Sequence, residues 1–269
     1  MGGEEQWDDR ETVLVTGATS GIGYELCRRF AANGHNLVVV ARDARRLGEI
    51  GAEFEKSFGI SSMGITVDLA VPGAPQQIFD DLQRRNIPVH ILVNNAGFNE
   101  YGPFADTSLQ RELEMIQLHI AAITSLTKLF LPAMLQRRHG GILNVGSTGS
   151  FAPVPLNAVY CATKAYILSF TEALAGELQG SGIKVTALCP GATATEFAAR
   201  ANMEETRIFK GPLMDAAAVA AAGYEALQEN RGVVVPGIMN QATIASIRFA
   251  PRRLVARIGR WMLEQKPAH

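Results

Sequence analysis

Tyr160 and Lys164 stand four residues apart in Tyr160-Cys161-Ala162-Thr163-Lys164, at the start of a segment with helical periodicity. Residues at that spacing share a helix face, so phenol and ammonium point the same way. A phenol ordinarily titrates near about 10, too high for a base at neutral pH. A neighbouring ammonium favours the phenolate and draws its pKa toward the working range. Ser147, 13 positions before the tyrosine, follows an apolar run in Asn144-Val145-Gly146-Ser147. From there its hydroxyl can donate a hydrogen bond to a substrate oxygen and hold it against the tyrosine. Tyr and Lys at this spacing also arise by packing alone, so the pair needs support from elsewhere in the chain.

That support is a glycine turn. The run Val13-Leu14-Val15 leads into Thr16-Gly17-Ala18-Thr19-Ser20-Gly21-Ile22-Gly23 and then into a helical pattern. Glycines between a strand and a helix let backbone approach a pyrophosphate closely enough for helix N-terminal N–H groups to bind it. An ordinary Gly-rich turn has a similar look, but this position near the N-terminus points to a dinucleotide.

The glycine spacing together with Ser147, Tyr160 and Lys164 resembles the short-chain dehydrogenase/reductase family residue by residue. The resemblance implies hydride transfer between a nicotinamide and a carbonyl carbon. Tyr160 gives or takes the oxygen's proton, and Lys164 also binds the nicotinamide ribose. Gly17, Ser20, Gly21, Ile22 and Gly23 would hold the dinucleotide. The resemblance further implies contacts from Asp68 and Leu69 to the adenine. It adds Asn95, Ala96 and Gly97 in Asn94-Asn95-Ala96-Gly97, and Pro190, Gly191, Thr193 and Thr195 in Pro190-Gly191-Ala192-Thr193-Ala194-Thr195.

A second run ends Val39-Val40-Ala41-Arg42. An acidic residue here binds the ribose 2′-hydroxyl of NAD, whereas an arginine accommodates the 2′-phosphate of NADP. Ala41 stands where NAD-preferring members carry Asp, and Arg42 follows, so NADP (NADPH) is the expected cofactor. Arg45 and Arg46 nearby leave a merely solvated arginine as the alternative. Ser20 adds no support, since many NADP-binding relatives carry a basic residue there. The family usually places an Asn of a water-linked proton relay where His119 stands. Two roles are open for His119, a modified relay or a structural substitution, and the structural one is preferred.

These residues need a scaffold. Unalternating apolar runs recur at Val13–Val15, Leu37–Val40, Ile65–Val67, Ile91–Val93, Ile142–Val145, Val185–Leu188 and Val233–Val235, as in strands covered on both faces. Helical patterns lie between them, at Ile22–Ala32 (with Gly34 as a C-terminal stop), Arg45–Phe58, Pro75–Arg85, Ser108–Gln136 and Asn157–Leu178. Strands alternating with helices predict an α/β fold: one doubly wound, Rossmann-like domain with a seven-stranded parallel sheet and helices on both faces. The division expected is a flexible segment 1–10, a catalytic domain 11–240 and a basic amphipathic extension 241–269. Ligand sites then fall at the carboxyl ends of the strands.

Lys plus Arg number 25 and Asp plus Glu 26, which does not suit a whole-protein nucleic-acid footprint. Cys27, Cys161 and Cys189 form no Cys-x-x-Cys pair, as expected of reduced thiols in a cytoplasmic protein. His35, His90, His139 and His269 do not cluster with acids, and no metal site is expected. The start lacks the pattern of a signal peptide, and Gln6 replaces the Ser or Thr that myristoylation at Gly2 requires. No uncharged apolar run is long enough to span a bilayer, so a soluble chain is expected.

The expected substrate is a moderately hydrophobic carbonyl compound or secondary alcohol. Phe197, Met203, Ile208 and Phe209, with Phe151, Pro153, Val154 and Leu156, are candidates for its pocket. The resemblance also implies a homo-oligomer. In the tail, Leu254, Ile258 and Trp261 share one helix face and Arg253, Arg257 and Arg260 another. Three uses are open for it: contact with an anionic membrane, a cap on the cleft, or docking on another subunit. Two rival functions remain, an NADP-binding redox sensor without catalysis and a nucleotide-sugar epimerase or dehydratase. The second usually carries Gly-x-x-Gly-x-x-Gly and a longer C-terminal domain, and this chain has neither.

Overall fold

Seven parallel strands in the order β3-β2-β1-β4-β5-β6-β7 form the core of a computed structural model that describes residues 7–265. The elements run β1 (Thr12–Thr16), α1 (Gly21–Ala32), β2 (Asn36–Ala41), α2 (Ala44–Phe58), β3 (Ser62–Thr66), α3 (Ala74–Arg84) and β4 (Ile91–Asn94). There follow α4 (Leu109–Ile116), a π-helical turn (Gln117–Ala122), α5 (Ile123–Arg137), β5 (Gly140–Val145), α6 (Ala158–Glu177) and β6 (Ile183–Leu188). The chain continues with α7 (Phe197–Arg200), α8 (Ala216–Gln228), β7 (Val233–Val234), α9 (Ile238–Ile247) and α10 (Arg252–Leu263).

Alternate residues of the central strands pack on opposite layers, which is why both parities are apolar. Val13, Val15 and Val39 join Phe30 of α1, Phe54 of α2 and Leu227 of α8. Leu14, Val38 and Val40 join Ile78 of α3, Phe130 of α5 and Leu174 of α6. β3 differs from the expectation of a strand covered on both faces. It is the sheet edge, is partly exposed, and carries Gly64, whose missing Cβ leaves room for Leu47. The α4–α5 helix, Leu109–Arg137, is by length and composition apolar enough to cross a bilayer. In this fold Leu126, Phe130 and Met134 of that helix cover the sheet.

Both chain ends depart from the expected division. Residues 7–10 are held rather than loose: Trp7 Nε1 donates to Thr12 Oγ1 at 2.8 Å, and Asn36 Nδ2 donates to Asp8 Oδ1 at 2.6 Å. The expectations concerning Gly2, Gln6 and His269 lie outside the described residues. A boundary at 240 falls inside α9, because Gly237, at φ +86°, turns the chain straight from β7 into that helix.

Three buried polar side chains lock the catalytic end of the sheet to α6. Asn94 Nδ2 donates to Asn144 Oδ1 at 2.8 Å, and Asn144 Nδ2 donates to Thr171 Oγ1 at 2.9 Å. Removing the middle amide leaves the buried Asn94 Nδ2 without its acceptor and takes one of two bonds from the Thr171 hydroxyl, which still donates to the Ile167 oxygen. Asn144→Ala should therefore cost about 2–3 kcal/mol of stability, read as a lower urea midpoint with an unchanged slope.

Candidate active site

The carboxyl ends of the strands open on a cleft of about 1360 Å³. It gathers Ser147, Tyr160 and Lys164 with every residue expected at the cofactor: Gly17, Ser20, Gly21, Ile22, Gly23, Arg42, Asp68, Leu69, Asn95, Ala96, Gly97, Pro190, Gly191, Thr193 and Thr195.

At the glycine turn, Gly17 takes φ +66° and a Cβ there would stand 2.8 Å from Ala96 Cα. On Gly23 a Cβ would stand 2.2 Å from the Gly17 oxygen. Only hydrogen fits at either place. Asn95 draws the ends of β1 and β4 together, its Nδ2 donating to the Thr16 oxygen at 3.0 Å and the Gly17 oxygen at 3.1 Å. Thr16 Oγ1 accepts from the N–H groups of Asn95 and Ala96, each at 3.0 Å. Ser20, the N-cap of α1, makes no side-chain cap bond. The first N–H groups of the helix therefore face the cleft as an anion cradle. Thr195 leans over this turn, close enough to Gly21 that a Cβ there would approach its Cγ2 to 2.8 Å.

At the end of β2, Arg42 is well exposed, with one nitrogen 3.8 Å from Asp68 Oδ2. Asp43 on the same rim caps α2, accepting from Arg46 N at 3.0 Å. Arg45 and Arg46 line the same rim, each paired with Glu49. With Ala41 beside them, three arginines gather at this end of the cleft.

At the reacting end, Lys164 is buried and its Nζ donates to the Val145 oxygen at 2.8 Å. It lies 5.7 Å from the centre of the Tyr160 ring. Ser147 Oγ accepts from Gly149 N at 3.0 Å, opening the 3₁₀ turn before α6. The electrostatics differ from the expectation of a phenol drawn toward neutrality. Burial lowers Lys164 to about 8. Burial also pushes the Tyr160 phenol well above its ordinary value, against a smaller opposing pull from Ser147. Desolvation dominates, so the tyrosine rests as a protonated acid.

Other expectations divide. Phe197, Met203, Ile208, Phe209 and Val154 line the cleft. Phe151 packs beside Leu168 instead, Leu156 lies with Met203 and Leu263, and Pro153 is exposed. The Phe197 ring stands 5.8 Å from Tyr160. Further walls come from the tail, where Ile244, Ile247, Val255 and Met262 close the far end. Of the three uses open for the tail, its inner side thus serves as a cap. A further unforeseen link is Asn99, whose Nδ2 donates to Asn157 Oδ1 at 3.0 Å under the segment that carries Met203. A buried polar pair between two distant loops leaves no periodic signal in sequence.

His119 sits fully buried in the π-helical turn behind Tyr160. Its Nε2 accepts from Phe98 N at 3.3 Å and its Nδ1 stands 2.9 Å from Thr163 Oγ1. Thr163 Oγ1 in turn donates to the Tyr160 oxygen of the backbone at 2.8 Å. The Phe98 N–H fixes the proton on Nδ1, so both nitrogens are engaged and neither is left to relay a proton. Gly97 makes the room, since a Cβ there would meet Nε2 at 2.7 Å. Burial, helped by Lys164, holds this imidazole well below its ordinary 6.5. The unfolded chain takes up a proton that the folded one refuses, so stability present above about pH 6.5 is lost as pH falls below it. Urea midpoints from pH 7 to 5 should fall further for the wild type than for His119→Asn, with turnover of the variant kept within a few-fold.

The family profile for short chain dehydrogenases matches residues 11–206. A short chain dehydrogenase of Pseudocercospora fijiensis is 34% identical over 191 residues, which is 70% of this chain and 62% of that protein. Among solved structures, a short-chain dehydrogenase from Sphingobium yanoikuyae in complex with NADPH is 33% identical with a TM-score of 0.80, covering 91% of this chain and 94% of that one. The bulky-bulky ketone specific alcohol dehydrogenase from Comamonas testosteroni is 29% identical with a TM-score of 0.75, covering 91% and 96%. With its glycine turn and its Ser, Tyr and Lys gathered on one cleft of a seven-stranded parallel sheet, the chain belongs to the short-chain dehydrogenase/reductase family of oxidoreductases.

Proposed function

We propose that the protein is an NADP(H)-dependent reductase of moderately hydrophobic ketones, with Tyr160 as the proton donor. One juxtaposition carries the reading. Tyr160, Ser147 and Lys164 share a cleft with an open helix N-terminus at one end and an apolar wall at the other. The similar Sphingobium enzyme is solved with NADPH and the similar Comamonas enzyme is specific for bulky ketones. Both support the reading without fixing the substrate here.

The α1 cradle and the side-chain-free approaches at Gly17 and Gly23 fit a pyrophosphate, and Arg42 fits a 2′-phosphate. Bound there, the dinucleotide supplies the hydride for carbonyl reduction. The chain's own work is with the proton. Ser147 Oγ donates a hydrogen bond to the carbonyl oxygen and holds it against the Tyr160 hydroxyl. As negative charge grows on that oxygen, the protonated phenol hands it the proton. The Lys164 ammonium, fixed on the Val145 carbonyl, stabilises the phenolate left behind. Phe197 covers the ring and keeps water from competing.

NADPH consumption against a panel of aryl and alkyl ketones and 3-oxoacyl thioesters tests the reading. Tyr160→Phe should lower kcat by at least about a thousandfold, with NADPH binding retained. Tight NADPH binding with no turnover on any substrate would favour the sensor. Reduction should hold steady at neutral pH and weaken above about 8, where Lys164 gives up its charge. Arg42→Ala should raise KM for NADPH about tenfold and leave that for NADH unchanged.

A further inference from the structure

α10 carries two apolar stripes, one packed into the fold and one largely exposed. The inner stripe is Val255, Gly259, Met262 and Leu263. Gly259 lies against Val154, and Leu263 is buried with Ala201 and Met203. Backbone bonds fasten this side, from Ile208 N to the Met262 oxygen at 3.0 Å and from Arg207 N to the Glu264 oxygen at 3.2 Å. The outer stripe is Leu254, Ile258 and Trp261, about a third of a turn round the helix. It faces solvent, with Trp261 57% exposed, and Phe249 in the link from α9 is 90% exposed.

The charge around this stripe is of one sign. Between Ile238 and Leu263 the chain has five arginines and no Asp or Glu. Arg253, Arg257 and Arg260 run beside the outer stripe, on the side away from the protein. Among the described residues, Arg248, Arg252, Arg253 and Arg257 form no ion pair, and the carboxylate nearest in sequence, Glu264, is engaged by Arg207 and Arg260. A second copy of the chain meeting this face across a two-fold axis would set arginine against arginine. The chemistry that suits the face is anionic, and it takes up protruding aliphatic and aromatic side chains without a shaped groove. A bilayer interface rich in acidic lipid has that chemistry.

We propose that α10 and the link before it seat the protein on an anionic lipid surface. Leu254, Ile258, Trp261 and Phe249 enter the boundary between headgroups and acyl chains. Arg253 and Arg257 lie over the lipid phosphates. Ile258 belongs to both surfaces, being half exposed and also part of the cleft wall. The lipid-facing side thus adjoins the far wall of the cleft through Ile258. The docking does not depend on which substrate is turned over, and its test reads no activity.

The test is sedimentation of the full chain with vesicles of phosphatidylcholine alone or with about 30 mol % phosphatidylglycerol added. Trp7 and Trp261 are the two tryptophans, so Trp7→Phe leaves Trp261 as the sole fluorescent reporter. The protein should pellet with the anionic vesicles and stay in solution with the neutral ones, and Trp261 emission should shift to shorter wavelength on binding. Each arginine near an acidic surface strengthens partition about fivefold. Arg253→Glu with Arg257→Glu should therefore weaken binding by at least about thirtyfold, and Phe249→Ser by several-fold, at unchanged thermal midpoints. Should a variant fold poorly, raised salt should release the unaltered protein instead. Three results overturn the proposal: full recovery in the supernatant with anionic vesicles, binding indifferent to both the arginine changes and salt, or a vesicle-free dimer that the same changes dissociate.

Discussion

One ammonium group held out of water organises this active site. Lys164 carries its charge into the interior without a carboxylate partner, and its Nζ donates to the Val145 carbonyl at 2.8 Å. Burying a cation this way is costly unless its protons find acceptors. That bond ties the last residue of β5 to the second turn of α6. Ser147 follows Val145 by two residues, and Tyr160 lies one turn before the lysine. A single interaction thus fixes three reacting groups on two elements. The same burial that makes the charge effective also weakens it, lowering Lys164 to about 8. It also keeps the Tyr160 phenol protonated at rest.

The rest of the cleft supports that arrangement through backbone fit. Gly17 and Gly23 let the glycine turn close against Ala96 and against itself. Asn95 bonds that closure in place, and Asn144 holds the adjoining strands to α6. His119 shows how such a framework absorbs a substitution. A ring larger than the family's usual amide is accommodated by the bare backbone of Gly97 and by the widened π-helical turn. The ring then bonds Phe98 and Thr163 and braces the helix that bears the tyrosine.

Much of the architecture was legible because its signals are local. Double-sided apolar runs marked β1, β2 and β4 to β6, and residues at strand ends fell on the cleft as parallel topology requires. The edge character of β3 was not legible, since Ile65 and Val67 read the same whether one face or two are covered. Spacing reports a charge near Tyr160 but says nothing of desolvation, which raises its phenol here. The Asn99–Asn157 bond and the tail's place in the wall join residues far apart in sequence, and such contacts carry no periodic trace. The amphipathic pattern in α10 was visible. Its inner stripe was not, because Gly259 is apolar only by virtue of what it touches.

The division of labour along the chain has an evolutionary consequence. The proton machinery and the dinucleotide turn are complete by Thr195, whereas the far wall of the cleft is drawn from α7, α9 and α10. These late pieces are fastened to one another, through Leu263 with Met203 and through main-chain bonds between residues 207–208 and 262–264, and to upstream loops through Tyr101 and Val154. Exchange of the wall-forming pieces after Thr195 can therefore reshape the far end of the cleft, provided their contacts to Tyr101 and Val154 are kept, while Ser147, Tyr160, Lys164 and the glycine turn upstream are inherited intact.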